Sequence, residues 1–169
     1  MRRSDREAAY TDFVLARQDH LRRVAYALCG NWHDADDLLQ TALTKLYVAW
    51  SRVARDGNPE AYVRRILVHT NIDDFRRRQR RVQTVSLDVG ADMPARERLD
   101  SDEQAALMEA LQSLPDMQRK VVVLRHWLGL DVRETAVELG IAEGTVKSHS
   151  SRGLAALQSV LASPAEPLH

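Results

Sequence analysis

The chain has 169 residues, of which 24 are basic and 24 acidic, so its formal net charge is zero; 44% are hydrophobic and 28% charged. This length admits one domain or two small ones, and the composition is ordinary for a soluble globular protein. No apolar run approaches the ~18 residues of a membrane span, the charged start Met1–Glu7 leads into no signal-peptide core, and the lone Cys29 excludes an intramolecular disulfide framework. Cytoplasmic residence is therefore expected, with Cys29 read as a small buried hydrophobe.

No alternation of strand type persists anywhere, whereas helical spacing recurs, so the expected fold class is all-α. Ser4 and Glu7 form a capping-box pattern ahead of a first helix with Tyr10, Phe13, Val14, Leu21, Val24, Ala25 and Leu28 on one face, and Gly30-Asn31 ends it. A second helix starts near His33-Asp34 and carries the apolar stripe Ala35, Leu38, Leu39, Ala42, Leu46, Ala49 and Trp50. Asp34, Asp36 and Asp37 crowd its first turn, where the helix dipole favours anions. Asp56-Gly57-Asn58 breaks the chain. Asn58 then caps a third helix with Pro59 at its first position. The expected core face of this helix is Tyr62, Val63, Ile66, Val68 or Thr70, and Phe75.

Residues 82–100 show no helical period and read as an interdomain linker, too long for a loop inside one compact domain. A second helical unit follows over residues 101–163. Ser101 and Gln104 suggest a cap, and Leu107, Leu111 and Leu114 a core face. Pro115 opens a helix with Val121, Val122, Leu124, Trp127 and Leu128, which ends at Gly129-Leu130. Asp131 and Glu134 form another capping box for a short helix to Leu139. Gly140-Ile141-Ala142 is a tight turn, a last helix runs from about Glu143 to Leu161, and Ser163-Pro164 closes the unit.

Three constellations carry functional information. The stretch from Glu134 to Ser148 has the helix, Gly-containing turn and second helix of a helix-turn-helix motif, locked by Ala136, Leu139, Ile141 and Val146. Its second helix presents Glu143, Thr145, Lys147, Ser148, Ser151 and Arg152, a polar set suited to base edges and phosphates in a major groove. From Arg64 to Arg81 stand seven arginines against two acids, a local charge of +5 in a neutral chain, suited to a nucleic-acid backbone; a solvated charged face is the competing reading. The acids at the start of the second helix, with Gln40 and Thr44 on the exposed side, fit either dipole compensation or a protein-docking surface. No metal-ligand spacing, phosphate loop or nucleophile elbow occurs, so neither a metal nor a cofactor nor a catalytic residue is expected.

These segments resemble a known family. Asp34-Ala35-Asp36-Asp37-Leu38-Leu39-Gln40-Thr41-Ala42-Leu43 is similar to the core-polymerase-binding helix of sigma factors. Asn58-Pro59-Glu60-Ala61-Tyr62-Val63-Arg64-Arg65-Ile66 resembles their promoter-melting helix. Leu114-Pro115-Asp116-Met117-Gln118-Arg119-Lys120-Val121-Val122 and the helix-turn-helix resemble their C-terminal domain. The set, in this order, is similar to the extracytoplasmic-function (ECF, group 4) branch of the sigma-70 family, which carries only domains 2 and 4.

The resemblance implies a non-enzymatic subunit that binds core RNA polymerase and directs promoter-specific initiation. Domain 2 would span residues 1–81 and domain 4 residues 101–163. Asp34, Asp37, Leu38 and Gln40 would dock on the clamp helices of the largest subunit, with the flap as a second polymerase contact. Tyr62, Arg65, His69, Asn71, Arg76, Arg77 and Arg80 would take the −10 element. Thr145, Lys147, Ser148, Ser151 and Arg152 would read the −35 element, and the acidic linker would thread toward the RNA exit path. An anti-sigma factor is a further partner that the family implies. His69, Ala142 and His149 depart from the family pattern. A LuxR-like regulator shares the Gly144-Thr145-Val146-Lys147-Ser148-His149 pattern, but would carry a strand-containing partner domain where residues 1–81 read as helix.

Overall fold

The computed structural model describes residues 2–81 and 102–162, and among them it holds helices and no strand. The linker segment 82–100, the Ser101 cap and Ser163-Pro164 lie outside the described residues. The chain divides between residues 92 and 93 into two compact units.

The first unit is built from three long helices, α1 (Arg3–Cys29), α2 (Trp32–Asp56) and α3 (Pro59–Arg81). Helix α1 starts before the expected cap: Arg2 is the N-cap without a side-chain hydrogen bond. Ser4 therefore lies inside the helix, and Glu7 pairs with Arg3 Nε at 3.3 Å instead. Gly30 ends α1 at φ 92°, a left-handed conformation that a side chain would strain. Asn31 then caps α2 by accepting from the Asp34 backbone N–H at 2.8 Å. This cap lets α2 start at Trp32, one residue before the expected start near His33-Asp34. Trp32 is buried and stacks on Tyr26 with ring centroids 4.1 Å apart.

Helix α2 packs against both α1 and α3. Its buried stripe is Ala35, Leu38, Leu39, Ala42, Leu46, Trp50 and Val53, while Ala49 sits at the margin. On α1, Leu21, Val24, Ala25, Ala27 and Leu28 are buried. Tyr10 and Phe13 are half-buried and close the other end through edge and tilted contacts with Trp50 at 5.6 and 5.5 Å. On α3 the core face is Val63, Leu67, Val68 and Ile72. Tyr62, Ile66, Thr70 and Phe75 are only half-buried, because the face that meets α2 is rotated toward Leu67 and Ile72. Asn58 accepts from the Ala61 N–H at 3.1 Å, as its cap position requires. Cys29 is half-buried, with its Sγ 3.6 Å from Asn71 Nδ2.

The second unit holds α4 (Asp102–Gln112), α5 (Asp116–Val122), α6 (Val132–Leu139) and α7 (Glu143–Ala162). Helices α4, α5 and α6 all pack on α7. Leu107, expected in the core, is 39% exposed; Met108, Ala110, Leu111 and Leu114 are buried instead. Helix α5 runs on into a π-helical turn over Val123–Trp127, where the Leu128 N–H reaches the Val123 carbonyl at 2.9 Å. The run from Val121 to Leu124 is buried without interruption, and the wide turn breaks the simple helical period there.

Candidate nucleic-acid interface

Helix α6 is held at its start by a full capping box. Asp131 Oδ1 accepts from the Glu134 N–H at 2.7 Å, and Glu134 Oε1 accepts from the Asp131 N–H at 3.3 Å. Gly140 ends α6 at φ 66°, and the Ile141 N–H returns to the Ala136 carbonyl at 3.1 Å. Ala136, Leu139 and Val146 are buried and Ile141 half-buried, so the apolar residues that lock the two helices are those their spacing indicates. Thr145, Lys147, Ser148, Ser151 and Arg152 are all exposed along one side of α7.

His149 is half-buried, and its Nδ1 is buried without a hydrogen-bond partner among the described residues. It is thus set apart from the exposed polar set. Ala142 supplies only its carbonyl, which accepts from the Val146 N–H at 3.0 Å. The π turn adds a group that the sequence pattern does not disclose: His126 is exposed, with Nε2 2.9 Å from Ser150 Oγ at the edge of the α7 face.

In the first unit the acidic cluster is unevenly engaged. Asp36 pairs with Arg22 Nε at 3.1 Å. Asp34 Oδ2 accepts from Asn31 Nδ2 and from Arg78 Nη2, both at 2.8 Å. Burial alone would raise the Asp34 pKa, but these two hydrogen bonds and the Arg78 charge outweigh it and hold the carboxyl below its ordinary value. Asp37 is exposed, with the equally exposed His33 Nε2 3.7 Å from its Oδ2, and Gln40 is exposed beside it. Leu38 is 3% exposed and belongs to the core. Of the four expected docking residues, Asp37 and Gln40 therefore face solvent directly.

Arg65, His69, Arg76, Arg77 and Arg80 are exposed on α3, and Tyr62 is half-buried. Asn71 is 7% exposed, with its amide toward Cys29, so it lies inside the unit rather than on this surface. Periodicity could have placed it there, one position before the buried Ile72. Arg52 of α2 joins the surface unannounced by the sequence, with its guanidinium carbon 5.7 Å from the centre of the Tyr62 ring. Among the described residues no group of acids, histidines and cysteine could hold a metal ion.

A helix-turn-helix with an exposed polar recognition face, and a separate three-helix unit bearing an exposed arginine run, define a helical DNA-binding protein. Comparison with known proteins narrows the class. Residues 13–81 match the family profile described as Sigma-70 region 2, and residues 104–157 match Sigma-70, region 4. The RNA polymerase sigma-E factor of Streptomyces avermitilis is 40% identical over 156 residues, which cover 91% of this chain and 86% of that protein. The ECF RNA polymerase sigma factor SigM of Mycobacterium tuberculosis is 34% identical over 150 residues, 87% of this chain and 75% of that one. Among solved structures, the sigma factor RpoE of Bartonella quintana, in complex with the anti-sigma factor NepR, is 29% identical with a TM-score of 0.63, covering 90% of this chain and 96% of that one. CnrH, solved with the cytosolic domain of CnrY, shares the fold at a TM-score of 0.52 and 23% identity, covering 92% of this chain and 88% of that one. The chain belongs to the sigma-70 family of RNA polymerase sigma factors, and its function is promoter-specific transcription initiation with core polymerase. Among the described residues no helix is long and apolar enough to cross a membrane.

Proposed function

We propose that the two units divide the promoter between them, each through the surface just described. Helix α2 docks on the clamp helices of the largest polymerase subunit through Asp37 and Gln40, while Leu38 holds the helix from beneath and Asp34 fixes its first turn. Helix α3 engages the −10 element through Tyr62, Arg65, His69, Arg76, Arg77 and Arg80, with Asn71 supporting it from inside. Helix α7 reads the −35 element through Thr145, Lys147, Ser148, Ser151 and Arg152. The residues act by binding and orientation, without catalysing a reaction, and the chain works in the cytoplasm, where polymerase is. An anti-sigma factor of the kind bound to RpoE fits the same scheme.

The observation that carries this reading is the α6–α7 geometry: a capped, apolar-locked helix pair that leaves five DNA-competent side chains exposed on one helix face. Two weak promoter contacts on one polymerase then reinforce each other through effective concentration. The test is reconstitution with core polymerase and mapping of start sites on genomic fragments. Specific starts are expected. Asp37→Ala combined with Gln40→Ala should weaken core binding, and a normal pull-down by that double variant would remove α2 from the docking surface.

A further inference from the structure

The buried side chains of α3 stop at Ile72, yet the helix continues to Arg81. None of residues 73–78, 80 and 81 is fully buried. Five of them are arginines, and the pairs Arg76–Arg80 and Arg77–Arg81 stand four apart, where like charges repel on a helix. Apart from the half-buried Phe75, apolar packing therefore contributes little to holding this end. A polar contact reaches across to α2: Arg78 Nη2 donates to Asp34 Oδ2 at 2.8 Å.

That carboxylate is already in place before Arg78 arrives. Asn31 caps α2 by accepting from the Asp34 N–H, and its own amide donates to the same Asp34 Oδ2, both at 2.8 Å. The Asp34 side chain is only 24% exposed. An ordinary surface ion pair contributes little because two mobile side chains must be ordered. Here one partner is ordered by the helix cap, and the bond is charge-assisted.

We infer that Arg78 is a positioning residue for the −10 surface: its bond to Asp34 ties the arginine-rich end of α3 to the first turn of α2. The inference rests on the −10 reading proposed above. Residues on a helix turn by about 100° each, so Arg76 and Arg80 lie roughly 160° around the axis from Arg78. With Arg78 directed at α2, Arg76 and Arg80 are turned to the opposite side, toward solvent. The tie also adds a polar link, at the first turn of α2, between the helix proposed to dock polymerase and the helix proposed to meet DNA.

The experiment uses the full chain in holoenzyme at saturating core, with core affinity measured separately for each variant. Promoter opening is followed by permanganate reactivity, and hydrogen exchange is followed over residues 73–81. Arg78→Ala is expected to slow opening roughly three- to tenfold and to speed exchange over that segment, with core affinity unchanged. Arg78→Asp should be worse, and in the double variant Asp34→Ala with Arg78→Ala the two losses of opening rate should not add. Losses that add in the double variant would overturn the inference and make Arg78 a direct DNA contact. Unchanged exchange in Arg78→Ala would overturn it as well. If instead Arg76→Ala and Arg80→Ala open promoters normally while Arg78→Ala still speeds exchange, the −10 reading fails and the tie stands.

Discussion

Gly153 and Val122 meet where α7 lies against α5: a Cβ on Gly153 would stand 2.6 Å from Val122 Cγ2 and 3.5 Å from the Gln118 carbonyl oxygen. Gly153 is buried, and its missing side chain lets α7 approach α5 closely. Val122 is β-branched and buried, so it has little freedom to move aside. Gly153→Ala gains about 1 kcal/mol of helix propensity but overpacks the contact by about 1–3 kcal/mol, so net destabilisation is expected. Val122→Ala in the same chain removes the obstructing methyl. The double variant should therefore be more stable than the sum of the two single changes, as read by urea unfolding. Additive losses would show that α5 and α7 separate freely at this point.

Thr135 presents the opposite situation, a polar atom in an apolar place. It is fully buried in α6, and its Oγ1 has no hydrogen-bond partner among the described residues. Leaving a buried hydroxyl unsatisfied costs about 1–3 kcal/mol. Thr135→Val keeps the shape and removes the polar atom, so thermal unfolding of the chain should move upward. A lower melting temperature would mean that the hydroxyl is satisfied after all, through a bound water or a segment outside the described residues.

Much of this architecture is legible in the sequence, for identifiable reasons. The Asp131–Glu134 box, Gly30, Gly57, Gly129 and Gly140 mark helix ends because capping and positive φ restrict residue choice at single positions. The α6–α7 lock is legible because its apolar spacing is local. The rotation of α3 is not, since Tyr62, Ile66 and Phe75 are as apolar as Leu67 and Ile72, and only α2 selects between the faces. The Ser4–Glu7 pattern misleads because α1 needs no side-chain cap to begin at Arg3. The π turn is hidden by the continuous apolar run from Val121 to Leu124, and on α4 the packing selects Met108 and Leu111 over the equally apolar Leu107. The Asp34–Arg78 bond joins residues 44 apart, beyond the reach of any local pattern.

His20 gives the first unit an acid-side dependence with a definite sign. It projects from α1 toward the first turn of α3, with Nε2 3.9 Å from Glu60 Oε1, and Arg17 Nη2 is 3.4 Å from Glu60 Oε2. Burial pushes the His20 pKa below its ordinary 6.5; Glu60 pulls it up, and Arg23, Arg17 and Arg64 push it down further. The unfolded chain thus binds the proton more readily than the folded one. Stability should fall as pH drops below 6.5 and level off once the folded-state value is passed. His20→Gln should flatten that part of the profile when melting temperatures are compared between pH 8 and 5.5. A variant with the same acid slope as the parent would assign the slope to other groups.

On the proposed −35 reading, the exposed face of α7 permits a finer division between residues that would hold DNA and residues that would read it. Each phosphate neutralised by a lysine or arginine releases counterions and contributes about 0.9 to the slope of log affinity against log salt. If Lys147 or Arg152 sits on a phosphate, its replacement by alanine weakens holoenzyme binding to every promoter alike and lowers the salt slope by about 1. If it reaches a guanine edge, the slope changes less, and discrimination at one base pair falls by about 1–3 kcal/mol. Lys147 stands nearer the start of α7, on the same exposed turn as Thr145 and Ser148, whereas Arg152 lies a further turn along, beside Ser151. Recognition helices place their N-terminal residues at base edges. Lys147→Ala is therefore expected to relax specificity within the −35 element, and Arg152→Ala to reduce the salt slope. Equal salt slopes in both variants and the parent, with −35 selectivity intact, would take this helix out of the groove.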